Sequence, residues 1–303
     1  MAEWIDLIDP TPDELREKLP RKVQESAFEQ LVAPAAPDDE PRPTLQSHGD
    51  YVFGIFLVAV AVPEEDRVFY QEVDVVVTHD VLVTVSKTPP GEHPYDPRPT
   101  RESCRPDDTA GMMFYRLTDD IAEHYLDLVD ALDGEIDELE DNLETAPAAK
   151  TRVRLSELRH DLLHIRRTLA PTRDAIRRVV DNVVEVREGE EEVFPHDVEV
   201  AFNSAYDKLL RAFDGLELSR DLIASVRDYL QSKVANDQNE VTKKLTALAS
   251  MLLVPTFIVG LYGQNFKHHF PELDWQWGYA WSWGLIIVTT VAQLVFFRKR
   301  GWI

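Results

Sequence analysis

Apolar residues gather into two uninterrupted runs, Leu245 to Tyr262 and Gly278 to Phe297, and neither contains a charged residue. An α-helix rises about 1.5 Å per residue and needs about 20 residues to cross the hydrocarbon core of a bilayer. Runs of 18 and 20 residues therefore predict a two-pass membrane hairpin. Upstream the pattern is that of a folded body. Trp4 to Leu7 reads as a short strand, and Pro12 to Leu19 as a helix with Asp13 and Glu14 in its first turn. Tyr51 to Val62, Val68 to Thr78 and Val81 to Ser86, rich in Val, Ile and Phe, predict neighbouring sheet strands, with His79-Asp80 at the tight turn between the last two. Proline-rich stretches at 33–43 and 89–99 break regular structure on either side.

Helical spacing dominates afterwards. Ile121, Tyr125, Leu128, Leu132, Ile136, Leu139 and Leu143 recur at three or four. Leu117 to Ala149 holds twelve acids and no Lys or Arg, whereas Lys150 to Arg178 holds nine basic residues against Glu157, Asp161 and Asp174. The two segments, with a turn at Ala146-Pro147, predict an antiparallel hairpin whose faces attract. Exposed ion pairs contribute about 0 to 1 kcal/mol each, so apolar packing must hold the hairpin while charge selects the partner. The acidic helix either gathers cations or is a solvated face; spacing leaves both open.

A third helix starts after Pro195, where Val198, Phe202, Ala205, Leu209, Phe213, Leu216, Ile223, Val226, Leu230 and Val234 keep the spacing and Gly215 is the one weak point. It runs unbroken into the first apolar segment and spans about 100 Å if it reaches Gly263. So long a stripe implies packing against copies of itself, and a closed ring would set one face of each first membrane helix around an axis. Steps of three and four back from Gly260, five residues before Asn265, select Thr256, Leu253, Ala249, Leu245, Thr242, Asn239 and Ala235, and two further steps reach Asp228. Polar groups mark the two ends and the middle is apolar. In a ring, Leu253 and Leu245 form a constriction that closes by excluding water. Polar helix ends also serve solubility, so spacing alone leaves that alternative open.

Charge and aromatics orient the hairpin. Arg298-Lys299-Arg300 directly follow the second run, and Trp275, Trp277, Trp281, Trp283 and Trp302 flank the runs as interfacial belts. Cytoplasmic flanks favour Lys and Arg, so both ends of the described chain are expected in the cytoplasm of a cell with this protein in its inner membrane. The opening Met1-Ala2-Glu3-Trp4-Ile5-Asp6 lacks the basic start and apolar core of a cleaved signal. Cys104 is the single cysteine, so no intrachain disulfide forms. The net charge is -23, and residues 1 to 244 alone carry 28 basic and 53 acidic side chains. A body so acidic makes nucleic acid an unsuitable partner and attracts cations. The division expected is an α/β domain at 1–105, a charged helical hairpin at 106–194, a stalk with the first membrane helix at 195–263, an outer loop at 264–277, the second membrane helix at 278–297 and a basic tail at 298–303.

The segments Asn239-Glu240-Val241, Leu245-Thr246, Pro255-Thr256-Phe257-Ile258, Gly260, Tyr262-Gly263-Gln264-Asn265-Phe266, Pro271-Glu272-Leu273, Trp275-Gln276-Trp277-Gly278-Tyr279 and Gly301-Trp302-Ile303 together resemble the CorA family of divalent-cation channels. So do Trp4-Ile5-Asp6-Leu7 with Pro10-Thr11, Arg42-Pro43 before Asp50-Tyr51-Val52-Phe53, and Ala170-Pro171 before Arg173. The resemblance implies a funnel-shaped homopentamer with a cytoplasmic α/β domain, a stalk helix continuous with the pore helix, and an outer second membrane helix in contact with lipid. It implies inward movement of Mg2+, and often Co2+ or Ni2+, down the electrochemical gradient, with Mg2+ also a regulator and no bound cofactor.

Departures from the family pattern bear on the ion. Gly263-Gln264-Asn265 stands where the family signature is Gly-Met-Asn. Mg2+ is small, hard and slow to lose water, so a ring of Asn265 amide oxygens would bind it through its waters, and Gly263 would let the backbone turn at the mouth. Gln264 adds an amide that coordinates, reorients Asn265 or replaces Met in packing. Without the resemblance, Gly263 and Asn265 read as a helix C-cap. The loop carries Lys267, His268, His269 and Phe270 before Pro271-Glu272, where the family commonly has an acid. His268 and His269 suit borderline metals or are solvated. The family's regulatory Mg2+ positions fall on Gln30 and Ser204, which are not carried over as ligands; Asp207 or Glu29 is the substitute. Asp228 matches the acid near the cytoplasmic end of the pore path. His160 and His164 share a helix face but lack the glutamate and third ligand of a zinc-protease helix, and no nucleophile triad or phosphate-cradling glycine loop is found, so no enzyme is expected. Besides a Mg2+ channel, a Zn2+ or Co2+ transporter of the same superfamily, with or without proton coupling, and a non-conducting membrane cation sensor or scaffold fit the sequence.

Overall fold

The computed structural model describes residues 2–35, 40–62, 67–184, 186–188, 191–264 and 275–303. Its elements are β1 (Glu3–Ile8), α1 (Pro12–Lys18), α2 (Glu25–Val32), β2 (Thr44–Ser47), β3 (Val52–Val62), β4 (Arg67–Val77), β5 (Val81–Lys87), α3 (Arg98–Glu102), α4 (Ala110–Asp141), α5 (Ala148–Val180), β6 (Arg187–Glu188), β7 (Glu191–Glu192), α6 (His196–Tyr262) and α7 (Gly278–Lys299). They group into two compact units, Met1–Val226 and Arg227–Ile303.

In the first unit five strands form one sheet in the order β1-β5-β4-β3-β2, with β1 parallel to β5 and the other neighbours antiparallel. Both faces are covered, which explains why β3 to β5 read as near-continuous apolar runs rather than strict alternation. On one face Leu15 of α1 and Ala27 and Leu31 of α2 pack with Leu7, Phe53, Val76 and Val83. On the other, Phe114 of α4 lies 5.8 Å from Phe56, and the buried Tyr125 hydroxyl donates to the Leu57 carbonyl at 3.0 Å. At the sheet edge Trp4 Nε1 donates to Thr84 Oγ1 at 3.0 Å, and that hydroxyl donates to Asp6 Oδ1 at 2.8 Å. Trp4 and Asp6 therefore tie β1 to β5.

α4 and α5 form the expected hairpin. Ile121, Tyr125, Leu132, Ile136 and Leu143 are buried, and Leu128 and Leu139 half-buried. The charge pattern works differently from simple attraction between two faces. Arg154 of α5 pairs with Glu135 of α4, but Asp119 and Glu123 of α4 pair with Lys208 of α6, at 3.1 and 2.5 Å, and Arg166 of α5 with Glu217 of α6 at 3.2 Å. Three helices share the charges. Gly215 does not break α6: a Cβ there would stand 2.9 Å from Val129 Cγ1, so glycine lets α6 approach α4.

One buried cluster is ionic. Glu72 and Asp74 lie two residues apart on β4, Lys87 faces Glu72 across the β4–β5 ladder, and all three are withdrawn from solvent. Lys87 Nζ reaches Glu72 Oε1 at 2.5 Å and Asp74 Oδ2 at 2.8 Å, and donates to the Gln30 carbonyl in the last turn of α2 at 2.8 Å. Burial pushes the Asp74 carboxyl up to about 8, with Lys87 pulling it down and Glu72 pushing it further up. Burial works against the Lys87 charge, but Asp74 and Glu72 outweigh it and hold the ammonium above its ordinary range.

Candidate functional site

The second unit holds the apolar part of α6 together with α7. Both helices are long and apolar enough to cross a membrane, and their large side chains are uncovered, Leu253 being 70% and Leu245 61% exposed. Contiguous apolar exposure on this scale needs a lipid or protein neighbour.

The faces of α6 are distinct. Ala247 and Ile258 are buried, and Met251, Val254 and Tyr262 half-buried, a spacing of three and four. Gln293 of α7 donates to the Ser250 carbonyl at 3.2 Å, so α7 lies on that side. Leu245, Ala249, Leu253, Thr256 and Gly260 form another row and are all exposed. The polar members above and below are exposed too. Thr256 and Thr242 each donate their hydroxyl to the carbonyl four residues back, at 2.7 and 2.8 Å, which leaves the oxygen lone pairs available. Asn239 is exposed, and Asp228 is exposed beside Arg227, 3.6 Å away.

α6 ends at Tyr262. The Gly263 N–H bonds the Val259 carbonyl at 2.9 Å, Gly263 lies outside the left-handed region, and a Cβ on it would stand 3.1 Å from the Val259 oxygen. Gly263 thus stands at the C-cap of α6, as the cap reading expected, without the left-handed turn that would require glycine. Gly263 and Gln264 are exposed; Asn265, His268, His269 and Glu272 lie outside the described residues. At the far end of α7, Gly301 at φ 66° turns the chain so that Trp302 stacks on Phe297, with ring centroids 5.5 Å apart.

The remaining candidates separate. Gln30 and Glu29 are exposed on α2, and Ser204 and Asp207 on α6. Among the described residues no three His, Cys, Asp or Glu side chains converge to hold a metal. His160 is exposed, while His164 meets Glu40 Oε2 at 2.6 Å and lies 4.4 Å from the Tyr70 ring, a structural contact. Sequence reasoning missed the Lys87 cluster and Gln293. The first had a signal, charges at alternate positions of an otherwise apolar strand; Gln293, the one amide in α7, had a fainter one.

Over residues 2–299 the sequence matches the family described as CorA-like Mg2+ transporter protein. A cobalt/magnesium transport protein CorA from Thermotoga maritima is 33% identical over 194 residues, which cover 64% of this chain and 53% of that relative, so the match spans about half the relative's length. A cobalt/magnesium transport protein CorA from Methanocaldococcus jannaschii is 24% identical across 99% of this chain and 91% of its own. The complete solved structure of the CorA magnesium transporter from that organism shares the fold, with a TM-score of 0.77 at 21% identity, over 99% of this chain and 91% of its own. An α/β body continued by one long helix into two membrane-length apolar helices is the architecture of a two-pass membrane transporter. The chain belongs to the CorA-like Mg2+ transporter family.

Proposed function

We propose that the chain conducts hydrated Mg2+, and with it Co2+ or Ni2+, into the cell through a homopentamer in the inner membrane, with both described ends in the cytoplasm. The observation that carries this reading is the row Leu245, Ala249, Leu253, Thr256 and Gly260, exposed on α6 while another face of the same helix meets α7. Five such rows around an axis would line a path. At its outer mouth the Asn265 amide, with Gly263 and Gln264, would accept hydrogen bonds from the waters of the ion. Amides attract a hydrated dication without the grip of a carboxylate ring. Thr256 offers the next oxygen, Leu253, Ala249 and Leu245 form the apolar constriction with Thr242 below it, and Asn239 and Asp228 draw the ion out. Nothing in this path needs ATP: the membrane potential supplies about 2.3 kcal/mol per charge per 100 mV.

Flux of Mg2+, Co2+ and Zn2+ into liposomes carrying the purified protein tests the reading. Wild type should pass Mg2+, and Asn265→Ala should slow it about tenfold or more, as expected when a first ion contact is lost. Flux of Zn2+ alone would replace Mg2+ as the cargo, and no flux of any cation would leave a sensor.

A further inference from the structure

Behind the apolar row, α6 has a weakened stretch of backbone. Pro255 has no N–H, so the carbonyl of Met251 loses its helical donor. Side chains reinforce the carbonyls on either side. Thr256 Oγ1 donates to Leu252 O at 2.7 Å, and on the other side Gln293 Nε2 reaches across from α7 to Ser250 O at 3.2 Å. The amide orientation follows from the partner: a carbonyl accepts only from the NH2 end. The Gln293 bond thus fixes the turn from Ala249 to Leu253, the turn that carries two members of the apolar row.

The same contact is only half satisfied. Gln293 Oε1 and Thr290 Oγ1, one turn apart on α7, are buried and have no hydrogen-bond partner among the described residues. A water entering beside Thr290 would bond both, so the joint holds α6 without locking it. No Asp, Glu, His, Lys or Arg lies in 245–262 or 278–297, so no ion pair can join these two stretches in place of this amide.

We infer that Gln293 is a positioning residue for conduction: by hydrogen-bonding the Ser250 carbonyl beside the Pro255 gap, it sets where Leu253 and Ala249 stand in the apolar constriction. The inference rests on the proposed transport reading. Its test compares wild type, Gln293→Leu and Gln293→Glu in Mg2+-loaded liposome flux between pH 5 and 8, with assembly checked by size in detergent. Each variant is read as its rate relative to wild type at the same pH. Gln293→Leu should change the initial rate about threefold or more with assembly intact, the size expected for one intramembrane side-chain hydrogen bond. Gln293→Glu should match wild type at the acidic end, where a protonated carboxyl donates to Ser250 O, and match Gln293→Leu at the basic end, where it cannot. A merely space-filling role would give no such pH profile. Wild-type flux with Gln293→Leu unchanged, or with Gln293→Glu flat in pH, overturns the positioning role alone. Wild-type liposomes that pass no divalent cation overturn the transport reading and this role with it.

Discussion

Lys87 stands between Glu72 and Asp74 where water is excluded, and removing it leaves the buried Glu72 side chain without its cation. Lys87→Met should therefore destabilise the protein by about 3–5 kcal/mol, the usual consequence of breaking a buried ion pair from one side, seen as a lower urea midpoint. The pH dependence has a definite sign. The folded Asp74 carboxyl titrates at about 8, above its unfolded value of about 3.9. Its contribution is complete below about pH 4 and is lost as pH rises toward 8. Lys87, raised above its ordinary range, stays charged throughout that window. The melting temperature of Asp74→Asn should thus climb relative to wild type between pH 4 and pH 8, and parallel curves would mean Asp74 is ionised in the fold. Residues such as these are poorly legible in a sequence. Glu72 and Asp74 look like solvent-facing positions of a strand until the helices on both sides of the sheet are known.

Helix packing in the first unit depends on close approach at Gly215. Gly215→Val should drive its methyls into Val129 and cost about 1–3 kcal/mol, lowering the thermal midpoint, while Leu218, exposed on the same helix, should tolerate the same change. The long elements were readable because their spacing persists: the stripe from Val198 to Val226 and the apolar runs of α6 and α7 repeat often enough to outweigh local noise. Short elements were not. α2 has Gln24 at its N-cap with no side-chain hydrogen bond, β2 is four residues at a sheet edge, and α3 is five residues among prolines. α4 begins at Ala110, earlier than the apolar pattern suggested; the signal was Thr109, whose hydroxyl accepts from the Met112 N–H at 3.2 Å. That Leu245, Ala249, Leu253, Thr256 and Gly260 share a face of α6 was legible, because helical phase is fixed by geometry. Which face meets α7 was not, since Gln293 and Ser250 are joined by tertiary contact rather than by any periodicity.

For the whole molecule, the decisive quantity is passage of ions. If Leu253 narrows the path by excluding water, Leu253→Asn should wet it and raise the Mg2+ flux into liposomes several-fold, a gain of function that misfolding cannot imitate; unchanged or lower flux would place the constriction elsewhere. The unbroken course of α6 from His196 to Tyr262 has a further consequence for how this chain can vary. No turn lies between Asp228 and Leu245, so one residue inserted there swings the row that follows by about 100° against the residues before it. Seven inserted residues bring the faces back to within about 20°. Relatives that differ in length along this stretch should do so in sevens, and a single-residue slip should be repaired only by a compensating change nearby on the same helix.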